Sequence, residues 1–578
     1  MNGPDNNIDQ RNLVMAIVLS VLVLMVWQSM MPPPVKKMPD QKVQNTPKQA
    51  GQPVAGQSAG TPGTASPAVP GQAAPVQAIK HRSLTQLLNQ GVHGIEISNV
   101  DGQISEWTLY EDQYRVRPAE GEEAGIPYRF VHRQEGEVTG SMFLPPVVNL
   151  SLNGAFSRGD YALTAGGSGR SATVEWTDSA RQVQVRKTYT LNTDSYTVDV
   201  KIDLINRSTT PVSFGVQTKF GAFQNDAEAQ PSMFMPPLNL YNSLCSRQED
   251  FERLPGSEII ENIQDKEPHL NTFSDGIRWA GVDNRYFMTA MMVADKEIKS
   301  CSASVNPGGS AGIPIGYTRL YNTVDLEGGI IQPGATISRN ISFYGGPKKL
   351  SELKNQTPTL GEAIDFGIFS VICIPMLWLM RFFFEYLPNW GVAIILLTIL
   401  VKVLTLPLTV KQYKSMAAMK KVQPLMKALQ DKYGEDKVRL QQEMMKLYRE
   451  HQVNPLAGCL PMIMMMPIYF ALYRTIYSAV ELYQANFGFW ITDLSKQDPY
   501  YITPVILGLL MIVQFRLNPS AGDQMQAKIM MWVMPIMFTA MMLFLPSGLV
   551  VYILVNTVLG IAQQWYFYRA QGITSAKA

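Results

Sequence analysis

The 578-residue sequence has four cysteines, five histidines, 17% charged residues and a net charge of +2. Four cysteines are too few for a disulfide scaffold, and a charge so close to balance argues against a bulk nucleic-acid binder; no direct, specific nucleic-acid contact is expected. Cys373 and Cys459 sit in apolar runs. Cys245 and Cys301 fall in a polar stretch, where an oxidising compartment would let them pair, although the sequence does not fix that pairing. There is no Gly-rich phosphate loop followed by Lys, no His/Cys cluster at metal-ligand spacing and no Ser/His/Asp arrangement, so neither an enzyme nor a cofactor is indicated. His93 and His269 are isolated and read as polar surface residues. Carboxylates are also missing from the depth of the long apolar runs, where Glu385, Glu481 and Asp493 stand only near the ends.

The missing carboxylates matter because the run GVAIILLTILVKVLTLPLTV, residues 391–410, carries Lys402 near its middle. About twenty apolar residues span the ~30 Å hydrocarbon layer, and a charge at that depth costs about 2.5 to 3.5 kcal/mol on insertion scales. Without a counter-ion, the lysine loses its proton, snorkels to an interface or sits in water. Thr398 and Thr405, four residues before and three after, share its helical face and make a polar stripe. A wet, positive groove with no resident anion would attract an acidic segment of another chain.

Along the chain, the first apolar run, Leu13 to Met31, reads as an uncleaved signal anchor, so residues 1–31 form a transmembrane helix. Residues 32–78, rich in Pro, Gln, Ala and Gly, read as a flexible linker. From 79 to 347 the period becomes two. Val183, Val185, Lys187, Tyr189 and Leu191 alternate with polar neighbours, and after a turn the alternation resumes through Tyr196, Val198, Val200, Ile202 and Leu204. Strand-like pieces recur at Gly94 to Tyr110, Thr173 to Thr177, Trp279 to Val293 and Thr336 to Tyr344, which predicts an all-β sandwich. Residues 348–390 include an aromatic-rich segment expected to lie as an amphipathic helix at the membrane interface.

The rest, 391–578, reads as helical, with spans at about 391–410, 456–482, 501–516, 528–545 and 548–568. Between them, 411–452 reads as a helical hairpin: Met416, Met419, Val422, Met426, Leu429 and Tyr433 on one helix, a break at Gly434, then Val438, Met445 and Tyr448. Residues 411–451 carry ten Lys or Arg against five acids, which by the positive-inside rule puts them in the cytoplasm. The hairpin reads as a docking surface for a ribosome, translocon or emerging chain, with Lys420, Lys421, Lys427, Lys437 and Arg439 as its basic face, and equally as a solvated face on acidic lipid headgroups, two compatible readings. Counting outward gives six transmembrane helices, both termini cytoplasmic and the β domain outside. Met is dense at 462–466 and 530–542, as suits an adaptable apolar surface.

The runs ILLTILVKVLTLPLTVKQYKSMAAMKKVQPLM, NPLAGCLPMIMMMPIYFALY, FGFWITDLSKQDPYYITPVILG and FLPSGLVVYILVNTVLGIAQQW together resemble the YidC family of membrane protein insertases, in its Gram-negative form with a large periplasmic domain. The resemblance implies a five-helix core around a hydrophilic groove, closed to the periplasm and open to cytoplasm and lipid, in a multi-pass protein of the bacterial inner membrane. It implies that Lys402 recruits substrate where Gram-negative members commonly carry arginine, with Thr398, Thr405, Gln514 and Asn556 as groove polar residues. Tyr469, Leu507, Met541, Tyr552 and Ile553 then stand at positions where substrate slides. The implied partners are nascent membrane proteins, the Sec translocon (SecYEG with SecDF), the ribosome, the FtsH protease and membrane lipids. Arg474 either adds to the groove's field or reaches the periplasmic interface. A solute transporter coupled through Lys402 would need a second ionisable group within the membrane, and none is seen. A scaffold acting only through its β domain is the remaining alternative.

Overall fold

The computed structural model describes residues 85–114, 128–132, 143–166, 169–229, 240–248, 250–293, 297–309, 313, 315–434, 436–451, 460–517 and 529–570. The expected anchor at 1–31 and linker at 32–78 lie outside the described residues, as does Cys459.

The period-two segments pair as their alternation requires. Val183–Leu191 and Thr197–Asn206 form an antiparallel hairpin in which Val198 faces Leu191 and Leu204 faces Val185. Val183, Val185, Lys187, Tyr189 and Leu191 all point inward. The hairpin lies in a nine-stranded sheet ordered Phe251–Pro255, Asn242–Arg247, Ile277–Asp283, Phe287–Met292, Thr336–Pro347, Thr197–Asn206, Val183–Leu191, Ser171–Asp178 and Ala162–Ala165. An eleven-stranded sheet packs against it, its main path running Thr85–Gln90, His93–Ser98, Gln103–Leu109, Tyr128–His132, Phe143–Leu152, Val212–Asn225, Tyr317–Leu326, Ile298–Asn306 and Thr272–Ser274. One continuous apolar core fills the sandwich. A disulfide between Cys245 and Cys301, with Cα atoms 6.3 Å apart, staples one sheet to the other.

Among the buried polar side chains that join the layers are Lys187 and His93. The inward alternation places Lys187 in the core, where its ammonium donates to the carbonyls of Asp101 (2.9 Å), Gly102 (3.4 Å) and Val148 (3.4 Å) and lies over the Tyr161 ring. Burial pushes its pKa down to about 8; the carbonyls supply the hydrogen bonds that an ammonium needs away from water. His93 differs from the surface position expected of it, being fully buried. Its Nδ1 accepts from the Trp107 indole N–H at 2.9 Å and its Nε2 lies 2.9 Å from the Asn192 carbonyl. An indole N–H only donates and a carbonyl only accepts, so the neutral Nε2–H tautomer alone satisfies both. Burial accordingly holds the His93 pKa down at about 4. His269 is exposed, as expected.

The chain leaves the sandwich through Lys348, whose ammonium is 2.6 Å from Asp283; Asp283 also pairs with Arg253 at 3.3 Å and accepts from Asn242 at 3.0 Å. Leu353, Leu360 and Ala363 remain part of the sandwich core. The helices that follow, numbered here from Ser370, are α1 (Ser370–Tyr386), α2 (Trp390–Leu404), α3 (Leu406–Tyr433), α4 (Lys437–Glu450), α5 (Leu460–Ser478), α6 (Ile502–Leu517), α7 (Met534–Met542) and α8 (Ser547–Ala570). A short π-helical turn, Ile529–Val533, precedes α7. A second core, distinct from that of the sandwich, holds α1, α2, α5, α6, α7 and α8 together. By length and composition α8 and the segment Gly367–Tyr386 could each cross a bilayer, and α2 with the first part of α3 could do so as one bent pair.

The run expected to be one helix over 391–410 is divided. α2 ends at Leu404, and α3 leaves it at 64°. Pro407 is the cause: it lacks an N–H and its ring clashes with the carbonyl four residues earlier, but it is favoured in a first turn, where it now stands. Lys402 therefore sits in the last turn of α2 rather than in mid-helix.

The hairpin forms between α3 and α4 across Gly434. Met419, Val422 and Met426 meet Leu447, with Leu429, Met444 and Tyr448 around them. Val438, expected on this seam, is exposed, because the inward face of α4 runs through Met444, Leu447 and Tyr448.

Candidate functional site

Around Lys402 the helices bring several polar side chains together. α2 packs on α8 and α8 on α6, and at their meeting point stands Gly560 of α8. A Cβ built on Gly560 would lie 3.6 Å from the Lys402 ammonium and 3.7 Å from the Gln514 amide nitrogen. The missing side chain is what leaves room for both. The Tyr413 hydroxyl of α3 donates to the Gly560 carbonyl at 3.1 Å, and one turn on, the Gln564 amide donates to the Tyr568 hydroxyl at 3.2 Å. One turn before Gly560, the Asn556 side chain lies near the Tyr469 hydroxyl of α5. Lys402, Gln514, Asn556 and Tyr469 thus share one polar strip between α2, α5, α6 and α8.

Among the described residues no carboxylate pairs with Lys402. Its position in the last turn of α2 sets it beside the partial negative charge of the helix C-terminus. The two threonines of the expected stripe are buried on the same helix. Their hydroxyls are turned onto their own backbone, Thr398 donating to Ile394 at 2.7 Å and Thr405 to Val401 at 2.8 Å. Each oxygen keeps its acceptor capacity while its proton is committed, so these threonines add polarity without a free donor.

Of the positions expected along a substrate path, Tyr469, Met541 and Ile553 are partly buried at the edge of the helical core. Leu507 and Tyr552 are inside it, 1% and 4% exposed. The outward face of α6 is made instead by Val505, Ile506, Leu509 and Val513, and that of α7 by Ile536 and Met537. Arg474 does not reach Lys402; it pairs with Asp365 at 3.0 Å, beside the end of the sandwich. On the hairpin, Lys421, Lys427 and Arg439 are exposed, the last lying over the Tyr433 ring. The side chains of Lys420 and Lys437 lie outside the described residues.

Sequence reasoning missed Gly560 and Tyr413. Gly560 is four residues after Asn556, and a lone glycine in an apolar helix is the available signal that something packs closely there. Tyr413 gave none, because its contact depends on the bend at Pro407.

The far end of this strip is covered by residues 479–501, between α5 and α6. The Phe487 carbonyl accepts from Asn389, the residue that caps α2, at 2.9 Å. The Phe487 ring fills the space above Gly391, where any Cβ would meet it at 1.9 Å. The carbonyls of Leu494 and Lys496 accept from Gly548 and Ser547 at the start of α8. Glu481 is salt-bridged to Arg381 of α1.

Comparison with known proteins follows the same division. The family model described as YidC periplasmic domain matches residues 94–379, and the one described as 60Kd inner membrane protein matches 382–574. Among curated proteins, a membrane protein insertase YidC of Methylobacillus flagellatus is 36% identical over 400 residues, 68% of this chain and 68% of that protein. One of Geobacter sulfurreducens is 35% identical over 435 residues, 75% of this chain and 77% of that protein. Among solved structures, YidC of Thermotoga maritima covers 83% of this chain and 99% of its own at 12% identity and a TM-score of 0.29.

Proposed function

The chain belongs to the YidC family of membrane protein insertases, and from that premise we propose that the polar strip centred on Lys402 is the groove through which it works. It is an inner membrane protein with a periplasmic β-sandwich and a helical insertase region. In the proposed mechanism a short polar or acidic segment of a nascent membrane protein enters the groove from the cytoplasm, drawn by Lys402 and solvated by Gln514, Asn556 and Tyr469. Its apolar neighbour partitions into lipid along the outward faces of α6 and α7. Partitioning drives the step, and the groove lowers the dehydration barrier on the way. The observation that carries this reading is a buried ammonium between apolar helices, with the Gln514 amide facing the same gap at Gly560 and no carboxylate partner among the described residues.

The same reading assigns six transmembrane helices: residues 1–31, the bent α2–α3 pair, α5, α6, α7 with its π turn, and α8. Both termini and the α3/α4 hairpin are then cytoplasmic. α1, interrupted by Pro375 and carrying Arg381 and Glu385, is assigned to the interface; Phe369, just before it, stacks on Phe470 and Cys373 donates to the Ala471 carbonyl at the middle of α5, while Arg381 pairs with Glu481 beyond the end of α5. Its exposed Trp378, Phe382 and Tyr386 suit the headgroup layer. The basic hairpin is the docking surface for the ribosome, the nascent chain and the Sec translocon. SecDF and FtsH are expected partners at the membrane.

Cross-linking tests the groove. A photoreactive residue placed at Val555 or Gln563, flanking the strip on α8, should capture the polar segment of an arrested acidic-tailed nascent chain. Capture only from the α6 and α7 faces, with none from these positions, would remove the groove from the pathway.

A further inference from the structure

The sandwich meets the end of α5, and the contact has a specific chemistry. α5 ends at Ser478, and a helix end leaves its last carbonyls without intrahelical donors. Here the sandwich supplies a donor to one of them, the Tyr477 carbonyl, and further donors to the turn that follows α5. Arg285, in the turn between Ile277–Asp283 and Phe287–Met292, donates from Nε to the Tyr477 carbonyl at 2.7 Å, and its guanidinium lies 3.5 Å over the Tyr477 ring. Gln113 turns its amide nitrogen to three acceptors in the turn after α5, the carbonyls of Val480 (3.2 Å), Glu481 (3.1 Å) and Tyr483 (3.2 Å). Its two N–H groups serve these three oxygens, and three acceptors on one side fix which end of the amide faces them.

Packing reinforces the polar contacts. Val480 is fully buried and belongs to the sandwich core rather than to the helical one. The Tyr483 ring sits 5.2 Å from both Tyr286 and Phe287 and 6.4 Å from Tyr114. Arg285 also places a positive charge at the negative end of the α5 dipole.

We propose that the β domain of the same chain caps the C-terminus of α5 through Arg285 and, through Gln113, clamps residues 479–501 over the periplasmic ends of the helices. Those residues also hold the starts of α2 and α8, so the clamp fixes three helices around the groove through one contact. The sandwich is then a working part of the periplasmic seal and not only a tethered module. The cap stands on contacts independent of Lys402, whereas its effect on the groove rests on the reading given above.

Hydrogen–deuterium exchange on the full-length protein in lipid nanodiscs tests this. In the double variant Gln113→Ala/Arg285→Ala, amides of residues 479–485 should exchange at least tenfold faster, while those of the sandwich hairpin 183–206 stay as in the wild type. Unchanged exchange at 479–485 would overturn the proposal. If the hairpin also accelerates, the single variant Gln113→Leu is read instead: with a steady hairpin, faster exchange at 479–485 supports the cap and unchanged exchange refutes it. Lys402→Ala should leave this exchange untouched, so a failed cap and a failed groove are told apart.

Discussion

The Lys402 ammonium and the Gln514 amide nitrogen converge on Gly560, each within 3.7 Å of the point where a Cβ would stand. A cation and a neutral amide on opposite helices thus face the same empty volume, and the residue that keeps it empty is on a third helix.

The size of residue 560 should therefore control the groove. Gly560→Ala adds a methyl at ordinary contact distance from both groups and should leave insertion of an acidic-tailed protein within about twofold of wild type. Gly560→Leu overfills the space, a change that costs about 1 to 3 kcal/mol in packed interiors, and should lower insertion by about tenfold. Equal insertion by the two variants in liposomes would show that the volume at Gly560 is not used.

His93 makes the sandwich sensitive to acid. The folded domain holds it neutral to about pH 4, whereas the unfolded chain protonates it near its ordinary 6.5. Between these values the unfolded state binds the extra proton, so this contribution is complete above pH 6.5 and falls away as the pH drops to 4, by about 3 kcal/mol in total. His93→Gln keeps one acceptor and one donor and does not titrate. Exchange of the buried amides of strands 93–109, followed from pH 7 to pH 4, should show a stability loss in the wild type that is much smaller in the variant. Parallel slopes in the two proteins would contradict the assignment.

Asp283 is wholly buried against Lys348 and Arg253. Asp283→Ala strands the Lys348 ammonium away from water, and breaking a buried pair in this way costs about 3 to 5 kcal/mol. For a domain of this size that lowers the melting temperature of the sandwich by on the order of 10 °C. Asp283→Leu with Lys348→Met removes both charges and should recover at least half of the loss. A double variant no more stable than the single one, followed by thermal unfolding, would show that charge stranding is not the cause.

Much of this architecture is legible in the sequence because it rests on local patterns. The hairpin 183–206 follows from alternation that places even Lys187 inward, and the break between α3 and α4 follows from Gly434. Lys402 stands out because a charge in an apolar run has few explanations. The bend at Pro407 was legible only in part: proline marks a boundary but not its angle, and the angle decides that Tyr413 reaches Gly560. His93 looked exposed because its partners, Trp107 and the Asn192 carbonyl, come from different strands. Leu507 and Tyr552 show the limit for membrane helices, where core and lipid faces are equally apolar and composition does not separate them. The cap on α5 was invisible, since Gln113 and Arg285 lie more than 190 residues from the carbonyls they meet.

The central claim is that the charge of Lys402 recruits substrate. Its most direct test is insertion of a small, acidic-tailed membrane protein into liposomes holding only this purified chain, with wild type compared against Lys402→Arg, Lys402→Ala and Lys402→Glu. The account predicts insertion preserved by Arg, lowered about tenfold by Ala, as loss of about 1.4 kcal/mol of attraction would give, and abolished by Glu. Equal insertion by all four proteins would contradict it and leave the outward faces of α6 and α7 to explain the activity.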